Sequence, residues 1–314
     1  MHPDTGRHDT GWGHPEHQGR LPAIVRALEK QTPAFLTAVE SRPASPARPE
    51  AIALVHPRAH IERVRGYVAQ ARASGGIVTI AGDTALCAAS WDAALAAAGC
   101  AVDAVSAVLD GSVRTAFALS RPPGHHATRD RAMGFCLFNN VAIAARSAQR
   151  EGVDRILIID WDVHHGNGTQ EIFYADDSVY YLSLHQHPWY PGTGLREERG
   201  EGRGWGTTLN VPLPAGTTRD EYRVEFLEAL NIAFAGFQPE LVIVSAGYDG
   251  LAGDPLGGFM LEPEDFYDLT ASLLERTGPP AGVVAVLEGG YAPARTGDGV
   301  VATLRALAGL PASD

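Results

Sequence analysis

The chain has 314 residues and a formal net charge of −12, and it is 45% hydrophobic and 20% charged. This acidic balance lacks the clustered Lys and Arg that phosphate backbones require, so nucleic acid is not an expected partner. No apolar run approaches the roughly 20 residues that span a bilayer, and the polar start MHPDTGRHDTGWGHPEHQGR lacks the core of a secretory signal, so a cytoplasmic protein with no membrane partner is expected.

The length suits one large α/β domain, and without repeats or composition shifts the whole chain, 1–314, reads as a single domain. The three cysteines, Cys87, Cys100 and Cys136, form no CxxC pair and read as buried thiols.

In chain order, residues 1–20 lack periodicity yet hold four histidines, Trp12 and Arg20. Helical spacing begins at Leu21, with Pro22 in the first turn, where a missing N–H costs little. The Pro-rich run 41–49 is a loop, and 51–55 reads as a short strand. An amphipathic helix follows over 56–73, then an Ala-rich helix over about 86–109 that Gly111 ends. Strand 115–119 leads into a long loop, RPPGHHATRDRAMGFCLFNN, which opens a helix near Asn139 or Asn140.

The next segment, RILIIDWDVHHGNGTQ, starts as a buried strand over 156–159. Side chains alternate along an extended backbone, so Asp160, Asp162 and His164 share a face if the strand persists, a pattern that suits a cation. Helix 168–175, strand 179–184, strand 207–211, helix 219–235, strand 241–244, helix 263–276, strand 283–287 and helix 299–308 complete the chain. Strands alternate with helices, and several strands are unbroken apolar runs. The expected fold is α/β, an open and mostly parallel central sheet with helices on both faces. Ligands of such sheets lie beyond the carboxyl ends of the strands, and five of these strand ends carry His, Asp or Tyr.

The motifs RPPGHHA, GFCLFNNVAIAA, DWDVHHGNGTQ, SLHQ with YPGTG, SAGYDG with GDPLGG, and EGGY together resemble the histone deacetylase and acetylpolyamine amidohydrolase superfamily, in the family's order and across most of the chain. The resemblance implies an arginase/deacetylase-type fold and a zinc-dependent hydrolase acting on the amide of an acylated primary amine. It makes Asp162, His164 and Asp249 the metal ligands, with zinc expected and ferrous iron an alternative. His125 and His126 match the family's tandem histidines. The first pairs with the aspartate matching Asp160; the second faces Asn167, Asn as in class II members rather than the Asp of class I. His126 is assigned as general base and acid, and His125 as its electrostatic partner. Tyr291 matches the tyrosine that hydrogen-bonds the substrate carbonyl.

The same resemblance places Phe135 and Tyr190 as walls of an acyl-lysine tunnel, the Gly134 carbonyl as acceptor for the substrate amide, and Arg20 on an inner acetate-exit channel. It also implies a structural potassium ion near Asp160, Asp162, His164, Ser183 and Leu184. Leu256 stands where the polyamine-selective branch carries Glu, which tilts the expected substrate toward an acyl-lysine peptide or a small acylated amine, with an acetylpolyamine as the alternative. An arginase-like ureohydrolase and a silent acyl-lysine binder are remoter readings. A homo-oligomer is the remaining partner expectation.

Overall fold

Unbroken apolar strands need cover on both faces, and the computed structural model, which describes residues 1–312, provides it. Its strands are β1 (Val78–Ile80), β2 (Thr84–Leu86), β3 (Thr115–Ala118), β4 (Ile156–Asp160), β5 (Val179–Gln186), β6 (Thr208–Leu213), β7 (Leu241–Ala246) and β8 (Gly282–Leu287). The helices are α1 (Arg20–Lys30), α2 (Thr32–Phe35), α3 (Pro49–Ile52), α4 (Arg58–Ser74), α5 (Ser90–Leu109), α6 (Asn140–Arg150), α7 (Asn167–Phe173), α8 (Arg219–Gly236), α9 (Pro263–Thr277) and α10 (Pro293–Leu307). The fold is α/β: β1 and β2 form a small antiparallel hairpin, and the other six strands form one parallel sheet in the order β3-β8-β7-β4-β5-β6.

The strand order reverses beside β4. From β4 the chain runs outward through β5 and β6, then returns to lay β7 on the other side of β4. Two loops that leave in opposite directions open a crevice there, the place where ligands of open α/β sheets bind. The two halves of the core follow from period two. Leu157, Ile159, Val242 and Val244 point into one apolar layer, and Ile156, Ile158, Leu241 and Ile243 into the other.

Helix boundaries follow local chemistry. The Asn139 side chain accepts from Ala142 N–H at 2.9 Å and starts α6, and Thr218 with Glu221 forms a capping box on α8. Several expectations are corrected. Residues 51–55 are not a strand, because Pro49 in the first turn nucleates α3 and a turn follows. The last helix begins at Pro293 rather than at residue 299. Cys87 is only half-buried, unlike Cys100 and Cys136. Among the described residues one helix, α5, is long and apolar enough to cross a membrane by length and composition, with 56% of it buried.

Candidate active site

The crevice beside β4 collects most of the expected side chains. β4 ends at Asp160 in register with Ser183 of β5 and Ser245 of β7. Beyond it, Asp162 Oδ1 accepts from the backbone N–H of His164 at 2.9 Å, and Asp249, just past β7, accepts from Val163 N–H at 2.8 Å. These bonds turn the two carboxylates toward each other. His164 Nδ1 lies 3.0 Å from Asp162 Oδ1 and 3.1 Å from Asp249 Oδ2. One ligand atom from each of the three lies within 4.8 Å of the others, and all three residues are buried.

The donor set fits a divalent ion: two carboxylate oxygens and one imidazole nitrogen converge on a point and leave further positions open. Electrostatics point the same way. Burial and the neighbouring Asp162 push Asp249 up to about 7. Burial opposes a charge on His164, but the carboxylates of Asp162 and Asp249 outweigh it and raise the imidazole to about 10. The two buried carboxylates thus favour positive charge between them.

Two glycines make room. Gly289 donates its N–H to Asp162 Oδ2 at 2.8 Å, and a Cβ there would collide with Oδ2 of both Asp249 and Asp162. Gly134 has a φ of 56° and faces the His126 ring so closely that any side chain would strike it.

Asp160 turns away from the cluster. Its Oδ2 accepts from His125 Nδ1 at 3.0 Å and from the Tyr181 hydroxyl at 3.1 Å. His126 Nδ1 lies 2.8 Å from Asn167 Oδ1. An amide oxygen only accepts, so Nδ1 carries the proton and Nε2 keeps its lone pair. Burial, with His125 and His164 nearby, holds His126 well below the usual histidine range. Burial also disfavours charge on His125, but Asp160 and Asp162 outweigh it and raise its pKa well above that range. The two rings lie 4.1 Å apart.

Tyr291 is buried, its ring 5.8 Å from that of Phe135 and edge-on to it. Burial pushes its phenol well above the usual tyrosine range, so it is a proton-bearing donor. Tyr190 stands edge-on to His126 at 5.1 Å and is 38% exposed. Phe135 holds a left-handed backbone, φ 67°, a strained conformation for a bulky residue. Leu256 is half-buried, and its carbonyl accepts from the Trp189 indole at 2.8 Å. Ser183 Oγ and His185 Nδ1 are 2.9 Å apart at the end of β5, beside Leu184 in the core.

Arg20 lies fully buried behind the site. It donates to Gly290 O at 2.7 Å, to Glu288 O at 2.6 Å and to Glu16 at 3.1 Å, and its guanidinium sits 5.0 Å from the Tyr291 ring centroid. Glu16 also pairs with Arg121 through both carboxylate oxygens at 2.6 Å. A buried carboxylate between two guanidiniums compensates a charge that would otherwise be prohibitive.

The sequence reading missed Glu16, Arg121, Glu288, Tyr181, Asp83 and Asp254. Glu288 accepts from the N–H groups of Gly124 and His125 at 2.6 and 3.2 Å and so holds the histidine loop. Asp83, in the turn joining β1 and β2, accepts from Gly134 N–H at 3.3 Å. A charged residue inside an otherwise apolar or glycine-rich motif, as in RPPGHHA and EGGY, was the available signal. The hairpin had none, because its strands are three residues long.

Residues 14–307 match the family model described as the histone deacetylase domain. The chain is 41% identical to histone deacetylase 10, chloroplastic, of Oryza sativa subsp. japonica over 95% of this chain and 70% of that one. It is 40% identical to the histone deacetylase-like amidohydrolase of Pseudomonas aeruginosa over 89% of this chain and 72% of the relative. The crystal structure of the HDA15 HD domain superimposes with a TM-score of 0.90 at 37% identity, covering 99% of this chain and 88% of that one.

Proposed function

The chain belongs to the histone deacetylase family, a family of hydrolytic deacylases, and from that premise we propose that it is a zinc-dependent enzyme cleaving the amide of an acylated primary amine, first among them N-acetyl-lysine in a peptide. The observation that carries this reading is the convergence of Asp162, His164 and Asp249 at the strand reversal, with the Nε2 lone pair of His126 left free beside them. Those three residues would hold the ion. Bound there, it supplies Lewis acidity that polarises an amide carbonyl and acidifies water.

The side chains do the rest. His126 Nε2 takes a proton from the attacking water as its oxygen bonds to the acyl carbon, then delivers that proton to the amine nitrogen as the C–N bond breaks. The products are a carboxylate and a primary amine. The Tyr291 hydroxyl donates to the carbonyl oxygen as charge develops on it, and such a donor contributes roughly 2.7 to 4 kcal/mol. His125, held by Asp160, keeps positive charge near the reacting centre. The Gly134 carbonyl accepts from the substrate amide N–H, while Phe135 and Tyr190 flank the alkyl stem. Arg20 lines the inner way out for the released carboxylate. A potassium ion beside the ends of β4 and β5, at Asp160, Asp162, His164, Ser183 and Leu184, would brace the same strands.

Leu256, apolar and set beside Trp189 at the mouth, favours an acyl-lysine or small acylated amine. Asp83 supports the second reading, an acetylpolyamine, because its carboxylate faces the mouth near Gly134. Hydrolysis of an acetyl-lysine peptide and of acetylputrescine side by side decides between them. A kcat/KM for the peptide at least tenfold higher, about 1.4 kcal/mol of transition-state discrimination, supports the lysine reading, and the reverse ratio overturns it.

A further inference from the structure

Tyr291 needs an anchor that its own sequence does not supply. It follows Gly289 and Gly290, the latter at φ 120°, and glycine restrains the backbone less than any other residue. The Ala292 side chain behind it offers no cap to α10. Arg20 fixes the carbonyl of Gly290 from behind, and the anchor on the backbone N–H of Tyr291 itself is Asp254, in the loop after β7, only 6% exposed. Its Oδ2 accepts from the backbone N–H of Tyr291 at 2.6 Å and of Ala292 at 3.0 Å, and its Oδ1 accepts from Leu256 N–H at 2.9 Å. The Leu256 carbonyl in turn accepts from the Trp189 indole, next to Tyr190.

We propose that Asp254 is a positioning residue for Tyr291, tying the phenol's backbone to the loop that carries Leu256, so that the mouth of the site and the carbonyl donor are set by one carboxylate. This inference rests on Tyr291 acting as the carbonyl donor. Three charge-assisted hydrogen bonds from two loops meet on two oxygens. An amide at the same place satisfies one loop and turns an N–H against the other. The competing role is structural: a buried carboxylate at a helix N-terminus stabilises that helix by itself. That role would lower stability without touching the phenol's contribution to turnover.

The test is a double-mutant cycle on the zinc-loaded full chain, using an acetyl-lysine peptide for turnover and a hydroxamate for binding, because a hydroxamate carbonyl accepts from the same phenol. Tyr291→Phe is expected to lower kcat about 10²- to 10³-fold. Asp254→Asn is expected to lower kcat about tenfold or more, with metal content unchanged. Added to Tyr291→Phe, it lowers kcat no further, since the group it positions is gone. Hydroxamate affinity follows the same pattern and carries the cycle alone if peptide turnover is too slow to measure. Asp254→Ala gives the larger loss, and Asp254→Asn stands in for it if the alanine variant does not fold. Unchanged kcat in Asp254→Asn, or losses that multiply fully in the double variant, overturns the proposal and leaves Asp254 as a helix cap. Unchanged kcat in Tyr291→Phe overturns the role of Tyr291 instead.

Discussion

The strand ends that gather Asp160, Asp162 and Asp249 are fully buried, whereas the loop at the mouth leaves Trp189 46% and Tyr190 38% exposed. The first region hangs on strands in parallel register, with backbone N–H groups and a close-packed glycine aiming each carboxylate. The second is made of loops joined to one another by hydrogen bonds such as that from Trp189 to Leu256. A buried centre with its carboxylates held by hydrogen bonds suits chemistry, because fixed dipoles in a low dielectric need no rearrangement during reaction. Adaptable loops suit choice of substrate. Substitutions in the two regions should therefore fail differently, in kcat and metal occupancy at the centre, in KM and selectivity at the mouth.

The largest expected effect is at the centre. Asp162→Asn removes a charge from the ligand set and should lower kcat/KM by at least about 10³-fold, since the Lewis acidity it anchors supplies several kcal/mol. Assaying with saturating metal separates lost affinity from lost turnover. Next comes Gly289→Ala, whose Cβ would displace Asp162 and Asp249 together. Metal affinity, measured by competition with a chelator, should fall about 10- to 100-fold while the sheet stays intact by circular dichroism. At the mouth, Leu256→Glu should leave peptide turnover measurable and shift the ratio of kcat/KM toward acetylputrescine about tenfold, roughly 1.4 kcal/mol. An unchanged ratio would remove Leu256 from substrate choice.

A buried histidine outside both regions sharpens the line between them. His56 is buried, its Nδ1 3.0 Å from Arg129 O and its Nε2 accepting from Asn139 N–H at 2.9 Å, beside His60. Burial lowers it to about 3. The unfolded chain takes up this proton near 6.5 and the folded chain only far below, so the unfolded state binds more protons between those values. Stability is full above about pH 6.5 and falls as pH drops below it, by up to about 1.4 kcal/mol per pH unit for this group. Urea midpoints at about pH 7 and pH 5 should converge in His56→Gln relative to the parent chain.

How much of this was legible in the sequence differs between the same two regions. The strands β4, β7 and β8 announce themselves as unbroken Val, Ile and Leu runs, and the polar residues just past them stand at the ends that parallel sheets use. Asp249, His125, His126 and Tyr291 gained their meaning only together, from the order of several motifs. The loops were less legible. The hairpin of β1 and β2, which brings Asp83 to the mouth, is too short to show a period, and the run 51–55 was apolar enough to pass for a strand until Pro49 is weighed. Glu16, 105 residues before Arg121, has no local pattern at all. Asp254 sat in a motif that drew notice only for Leu256.

The central claim is that the strand ends hold one catalytic ion, and the most direct measurement is a calorimetric titration of zinc into metal-free protein, with acetyl-lysine peptide hydrolysis followed in the same samples. The account predicts one ion per chain, activity that rises in proportion to occupancy, and the loss of both in Asp249→Asn. Full turnover by the metal-free protein, or stoichiometric high-affinity binding retained in Asp249→Asn, would contradict it.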